Sequence, residues 1–183
     1  MKNVMLDLET YGTAPGSVIL SIGAVAFDPH SKDMGNGFYE VISIDHSIVA
    51  GFTTNRETKQ WWDKQSVEAR RVIHEAEQLH ASHPEAVLRS LNSYLSGCGG
   101  TEVMVWGYGA GFDNALVAAA YELTGVGRGW KYTNDRCFRT IKAMFPIPKD
   151  LIPPRQGTYH NALDDAKTQA AHLQAIYKHH SFA

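Results

Sequence analysis

The run Val4-Met5-Leu6-Asp7-Leu8-Glu9-Thr10 constrains this chain more than any other stretch. It is apolar enough for a strand inside a sheet, yet it carries two carboxylates near its end. Side chains alternate along a strand, so Asp7 and Glu9 share one face and can hold a single ion between them. Carboxylates beside apolar runs are costly to bury unless something positive neutralises them. Two later segments repeat the arrangement, Gly111-Phe112-Asp113-Asn114 and His160-Asn161-Ala162-Leu163-Asp164-Asp165, each at the end of an apolar stretch or the start of a helix. Hard divalent cations suit such sites, because Mg²⁺ prefers a few carboxylates plus phosphate oxygens. The residues therefore point to a metal-dependent phosphodiesterase.

The pattern around these segments predicts an α/β fold. Val4–Leu8, Val18–Phe27 and Gly37–Ile44 read as three strands with short connections, hence an antiparallel meander. Thr54-Asn55-Arg56-Glu57 has the form of a capping box, so a helix carrying Trp61 and Trp62 is expected to start there. Ser66-Val67-Glu68 suits the cap of a short helix. Pro84 opens a clearer one, with Val87, Leu88, Leu91, Tyr94 and Leu95 as its apolar stripe and Gly97–Gly100 as its stop. A buried strand is predicted over Val103–Trp106, a helix over Phe112–Leu123, a last strand over Lys131–Thr133, a helix over Asp135–Phe145 and a final helix over Asn161–Lys178. Strands first, then alternating helices and strands, give a mixed sheet flanked by helices.

The 183 residues suit one domain, expected over 1–183, with a sizeable core. No apolar run reaches the roughly 20 residues of a membrane helix. Met1-Lys2-Asn3-Val4 leads straight into a strand, so neither a signal peptide nor a membrane partner is expected, and the expected location is cytoplasmic. Cys98 and Cys137 are far apart and lack metal-ligand spacing, as free thiols in a reducing compartment do. His179-His180 reads as a solvated tail. A net charge of −2 argues against holding long duplex by phosphate neutralisation alone. It leaves room for an enzyme gripping a few nucleotides, because bound metal ions bring their own charge.

Each candidate has a plainer reading beside it. Asp-x-Glu arises often by chance, and Asp113 suits a helix start stabilised by the macrodipole. Glycines before Asp113 fit a backbone that approaches something closely. His160 lies among Gly157, Thr158 and Asn161, with no apolar cluster to enclose it. Asp164 reads as a solvated first-turn acid and Asp165 as the ligand, with the reverse assignment open on spacing alone.

Together the segments resemble the DEDDh family of 3′→5′ exonucleases, which includes proofreading subunits, ribonuclease T and oligoribonuclease. Asp7-Leu8-Glu9-Thr10 is similar to the first motif, D-x-E-T; Phe112-Asp113 to the second, which ends in F-D; and His160-Asn161-Ala162-Leu163-Asp164-Asp165-Ala166 to the third, H-x-A-x-x-D-A. The third motif selects Asp165 over Asp164, and the histidine subtype over the tyrosine subtype. Trp61-Trp62-Asp63-Lys64-Gln65-Ser66, Trp106–Asn114 and Asp135–Thr140 further resemble a phage and bacterial branch that includes a mycobacterial exoribonuclease type. One departure stands out: Tyr108-Gly109 occupies the place where many members carry His-Asn.

The resemblance implies a ribonuclease H-like sheet and two Mg²⁺ or Mn²⁺ ions. Asp7 would bridge both ions, Glu9 and Asp165 would hold the one that activates water, and Asp113 would support the other. His160 would accept the proton of the attacking water, a task suited to imidazole, which changes charge in the physiological range. The implied partner is the 3′ end of single-stranded RNA or DNA, and relatives that are homodimers make self-association an expectation. Thr10 and Tyr11 are expected near the terminal nucleotide, Trp61 and Trp62 are candidates for base stacking, with core packing the alternative for at least one of them, and Arg139, Lys64 and Arg155 are candidates for phosphates. The competing class is a non-catalytic nucleic-acid-binding module on the same fold.

Overall fold

The computed structural model describes residues 1–182. Its sheet has five strands in the order β3-β2-β1-β4-β5. β1 (Asn3–Thr10) lies in the middle, antiparallel to β2 (Ile19–Phe27) and parallel to β4 (Met104–Gly107). β2 pairs antiparallel with β3 (Met34–Val41), and β4 pairs parallel with β5 (Asp135–Cys137). Between β3 and β4 run α1 (Ile44–Val49), α2 (Arg56–Trp62), α3 (Arg71–Ala76) and α4 (Pro84–Cys98). α5 (Asp113–Thr124) joins β4 to β5, and α6 (Phe138–Met144) and α7 (Ala162–His180) complete the described chain. Among the described residues, no helix is long and apolar enough to cross a membrane.

The period of two divides the core between the faces of the sheet. Val4, Leu6, Leu8, Ile22 and Ala24 face Leu88, Leu91, Leu116 and Val117 of α4 and α5. Met5, Val25, Phe27 and Trp106 face Phe138 of α6 and Ala166, Ala170, Leu173 and Ile176 of α7. Being odd-numbered, Asp7 and Glu9 lie on the α7 face.

The predicted meander is present, but the third strand starts earlier, at Met34, and ends at Val41. Ile44 belongs to α1 instead, because the Ser43 hydroxyl caps that helix by accepting from His46 N. The cap of α2 is Asn55 rather than Thr54: its Oδ1 accepts from Thr58 N at 2.9 Å. The strand expected over Lys131–Thr133 is wrong, since Tyr132–Asn134 form a 3₁₀ turn. β5 follows at Asp135–Cys137, taking the first residues of the helix expected there, so α6 begins only at Phe138. His179 and His180 form the last turn of α7 rather than a tail; His179 is exposed, whereas the His180 ring stacks on Phe182.

One close approach sets the position of α7. Gly23 is the cross-strand partner of Asp7. A Cβ built on Gly23 would lie 2.1 Å from the carbonyl carbon of Ala162 and 2.2 Å from Leu163 N. Only a residue without a side chain lets the first turn of α7 lie on β2 there, beside Asp7. Gly23→Ala is expected to destabilise the protein by about 3 kcal/mol, because helix backbone cannot yield as a side-chain end can. The urea unfolding midpoint measures this; an unchanged midpoint would mean that α7 is free to shift.

Candidate active site

The site lies at the carboxyl end of the parallel pair β1 and β4, where open α/β sheets commonly place ligands. A cavity of about 280 Å³ there is lined by Asp7, Leu8, Glu9, Tyr108, Phe112, Asp113, Arg139, His160, Asp165 and Gln169. One carboxylate oxygen from each of Asp7, Glu9 and Asp165 lies within 4.8 Å of the others. β1 supplies Asp7 and Glu9 on one face, with a register shift between Glu9 and Thr10 that ends the regular ladder. α7 supplies Asp165 from its first turn, after Asn161 caps the helix by accepting from Asp164 N at 3.1 Å.

Asp113 enters from the opposite side, as the first residue of α5. Its Oδ2 accepts from Gly109 N at 3.1 Å. Asn114 beside it donates to Val105 O at 3.0 Å and to Asp135 Oδ1 at 2.9 Å, tying the start of α5 to β4 and β5. A Cβ on Gly107 would meet the Asp113 Cβ at 2.8 Å, so the last residue of β4 makes room for this helix start.

The carboxylates oppose one another electrostatically. Burial, then Asp113, Glu9 and Asp165, push Asp7 well above the ordinary carboxyl range, and a hydrogen bond from Gln169 partly offsets this. Burial, then Asp165 and Asp113, raise Glu9 to about 8, against the pull of Arg155. Burial raises Asp113 to about 6, although the backbone N–H groups of Gly109, Asp113 and Tyr108 favour its ionised form. These acids are ill-suited to coexist ionised without a cation. An all-oxygen donor set of this kind fits Mg²⁺ or Mn²⁺.

His160 has a left-handed backbone, φ 60°. Its ring meets Trp61 edge-on, with centroids 5.0 Å apart, and Trp62 at 5.9 Å. Trp61 is 43% exposed, whereas Trp62 is 1% exposed. The indole N–H of Trp62 donates to Thr10 O at 2.9 Å. The stacking role expected of Trp62 is therefore corrected: its faces are enclosed by the core, and it holds the end of β1. Thr10 and Tyr11 are likewise occupied within the fold. The Thr10 hydroxyl donates to Gly12 O, Tyr11 N donates to Val18 O and Tyr11 O accepts from Asn55 N. Arg139 does line the cavity and is exposed, its guanidinium 5.1 Å from the Tyr108 ring centre.

One participant was not singled out by sequence, and two others have partners that sequence did not assign. Gln169 Nε2 donates to Asp7 Oδ1 at 2.7 Å. Its signal was available: it stands four residues after Asp165, on the same helical face. Asp164 is not a solvated acid, because its Oδ2 accepts from Thr158 N at 2.8 Å. Arg155 Nη1 meets Asp165 Oδ1 at 2.6 Å rather than standing free for a phosphate.

Comparison with known proteins agrees with this geometry. The family profile described as "3'-5' exoribonuclease Rv2179c-like domain" matches residues 2–177. No curated protein sequence matches. Among solved structures, cell-death related nuclease 4 (CRN-4) aligns with a TM-score of 0.64 at 15% identity, over 97% of this chain and 64% of that one. This chain thus spans less than two thirds of that nuclease. Pop2p of S. pombe, in a form with Mg²⁺ and Mn²⁺ bound, gives 0.62 at 14% identity, over 97% and 83%. The nuclease domain of 3'hExo, a DEDDh family member bound to rAMP, gives 0.59 at 13%, over 98% and 92%. At these identities the structures establish the shared ribonuclease H-like fold.

Proposed function

Because this chain belongs to the Rv2179c-like 3′-5′ exoribonuclease domain family, we propose that its cleft removes nucleotides one at a time from the 3′ end of single-stranded RNA, using two divalent ions. The convergence of Asp7, Glu9, Asp113, His160 and Asp165 on one small cavity carries this reading. Asp7, Glu9 and Asp165 would hold Mg²⁺ or Mn²⁺, with Asp113 as the outlying carboxylate for a second ion. When bound, the ions supply positive charge at the scissile phosphate and acidify the attacking water.

The chain's own groups account for the remaining steps. His160 accepts a proton from water at an imidazole nitrogen as the water oxygen bonds to phosphorus. The bond from phosphorus to the O3′ of the preceding nucleotide breaks, and that oxygen takes up a proton from solvent. The products are a nucleoside 5′-monophosphate and a strand one nucleotide shorter with a free 3′-hydroxyl. Arg139, at the cavity rim, meets a substrate phosphate, and the exposed part of Trp61 offers a stacking surface for a base.

His160→Gln is expected to lower kcat by about 10²–10⁴-fold with little change in KM, the loss associated with a missing general base. The test of function compares a linear single strand with a circle of the same sequence, each made in RNA and DNA, in Mn²⁺. An exonuclease shortens only the linear form, and the RNA and DNA arms report its sugar preference. Cutting of the circle would reveal an endonuclease. Binding of both forms without cleavage, by folded and Mn²⁺-loaded protein, would favour the non-catalytic module.

A further inference from the structure

Arg155 stands outside the catalytic set just described, yet its guanidinium makes three contacts there. Nη1 pairs with Asp165 Oδ1 at 2.6 Å, and about four fifths of each side chain is withdrawn from solvent. Nη2 donates to Thr158 O, two residues before His160. The guanidinium carbon lies 4.0 Å from the centre of the Tyr159 ring, the residue between them. A planar group with several fixed donors can bridge a carboxylate and a carbonyl in this way, whereas a lysine ammonium offers a single point charge.

The same loop is fastened to α7 from the other side. Thr158 N donates to Asp164 Oδ2 at 2.8 Å, and Gln156 N donates to Thr168 Oγ1 at 3.1 Å. The segment 155–160 is thus laced to the first turns of the helix that carries Asp165. It delivers His160 in a left-handed conformation, which most residues avoid.

We propose that Arg155 is a positioning residue that locks the Asp165 carboxylate and the His160 loop into one rigid unit, so that ligand and base arrive in register. The proposal rests on the exonuclease reading for its kinetic arm and stands on structure alone for the other. In this arrangement Arg155 acts through Asp165 and His160 and leaves substrate affinity to other groups.

The experiment uses the full chain with Arg155→Gln and Arg155→Lys, the latter preserving charge if the former folds poorly. Thermal unfolding first verifies that each variant is folded. Hydrogen exchange followed by mass spectrometry is then read over residues 155–161, and kcat and KM are measured on linear single-stranded RNA in Mn²⁺. The expected result is exchange at least about tenfold faster in that segment, with the sheet unchanged. kcat should fall by about 10–100-fold, the scale of supporting residues behind a metal ligand, with KM within about threefold. Lysine should fail to restore either quantity, because it cannot span both acceptors. Unchanged exchange would overturn the proposal, as would a rise in KM at constant kcat, which would make Arg155 a phosphate ligand. If the wild type cleaves no strand, the exonuclease reading fails, and the exchange measurement alone decides the role of Arg155.

Discussion

Asp7→Asn is expected to reduce exonuclease turnover in saturating Mg²⁺ or Mn²⁺ by about 10³-fold or more, while leaving the metal-free protein more stable than the wild type. The kinetic loss corresponds to roughly 4 kcal/mol of transition-state stabilisation, within reach of a carboxylate that would ligate the ions. The gain in stability follows from the repulsion within the site. Asp7 sits among Glu9, Asp113 and Asp165 and is pushed well above the ordinary carboxyl range. Asparagine removes that charge, keeps the shape, and retains an oxygen for the Gln169 amide that now donates to Asp7 Oδ1. A rise of about 3–6 °C in Tm in EDTA is expected, since 1 kcal/mol moves a chain of this size by roughly 2–4 °C. Single-turnover cleavage and a thermal melt on the same preparation provide both numbers. An active Asp7→Asn would mean that Asp7 is not a ligand, and one that melts earlier in EDTA would mean that it is not strained by its neighbours.

The second large effect is on stability against pH. Glu9 is raised from 4.5 to about 8 in the folded chain, and Asp113 from 3.8 to about 6. Between the unfolded and folded values the folded form binds more protons than the unfolded form, so stability falls as pH rises. As far as this site is concerned, the metal-free protein should therefore be most stable below about pH 4, and should lose about 3–5 kcal/mol between pH 5 and pH 8. Mg²⁺ and Mn²⁺ would bind the ionised carboxylates, so their stabilising effect should grow over the same window. Melts at pH 5 and pH 8, with EDTA or with Mn²⁺, should show a metal-dependent shift larger at pH 8 by roughly 10 °C. An equal shift at both values would show that the acids are not coupled to a cation.

The acidic site was legible because its residues interrupt patterns that otherwise continue. Asp7 and Glu9 stand out by breaking an apolar strand, and the period of two places them on one face. Asp113 and Asp165 sit in the first turns of helices, where sequence marks the boundary well. The sheet was legible over β1, β2 and β4 because their runs are predominantly apolar. β5 was misplaced because three residues, Asp135-Arg136-Cys137, carry no strand period and pair only through their neighbours on β4. The start of α1 was missed because Ile42 and Ile44 continue an alternation that the Ser43 cap interrupts. Long-range partnerships lay beyond the sequence altogether. Whether Trp62 stacks on a base or packs in the core is open until Thr10 O is seen to accept from its indole. Arg155 reads as a free cation until the loop folds back onto Asp165. Gly23 gives no sign of its role until α7 crosses it.

The products of a 5′-labelled single-stranded RNA in Mn²⁺, resolved by length over time, report whether hydrolysis needs the metal and starts at the 3′ end. The expected result is a ladder that shortens one nucleotide at a time with the label retained on the longer fragment, release of nucleoside 5′-monophosphate, and no reaction in EDTA. Release of the label as a mononucleotide at the first time point, or an intact strand after incubation with folded, Mn²⁺-loaded protein, would contradict it.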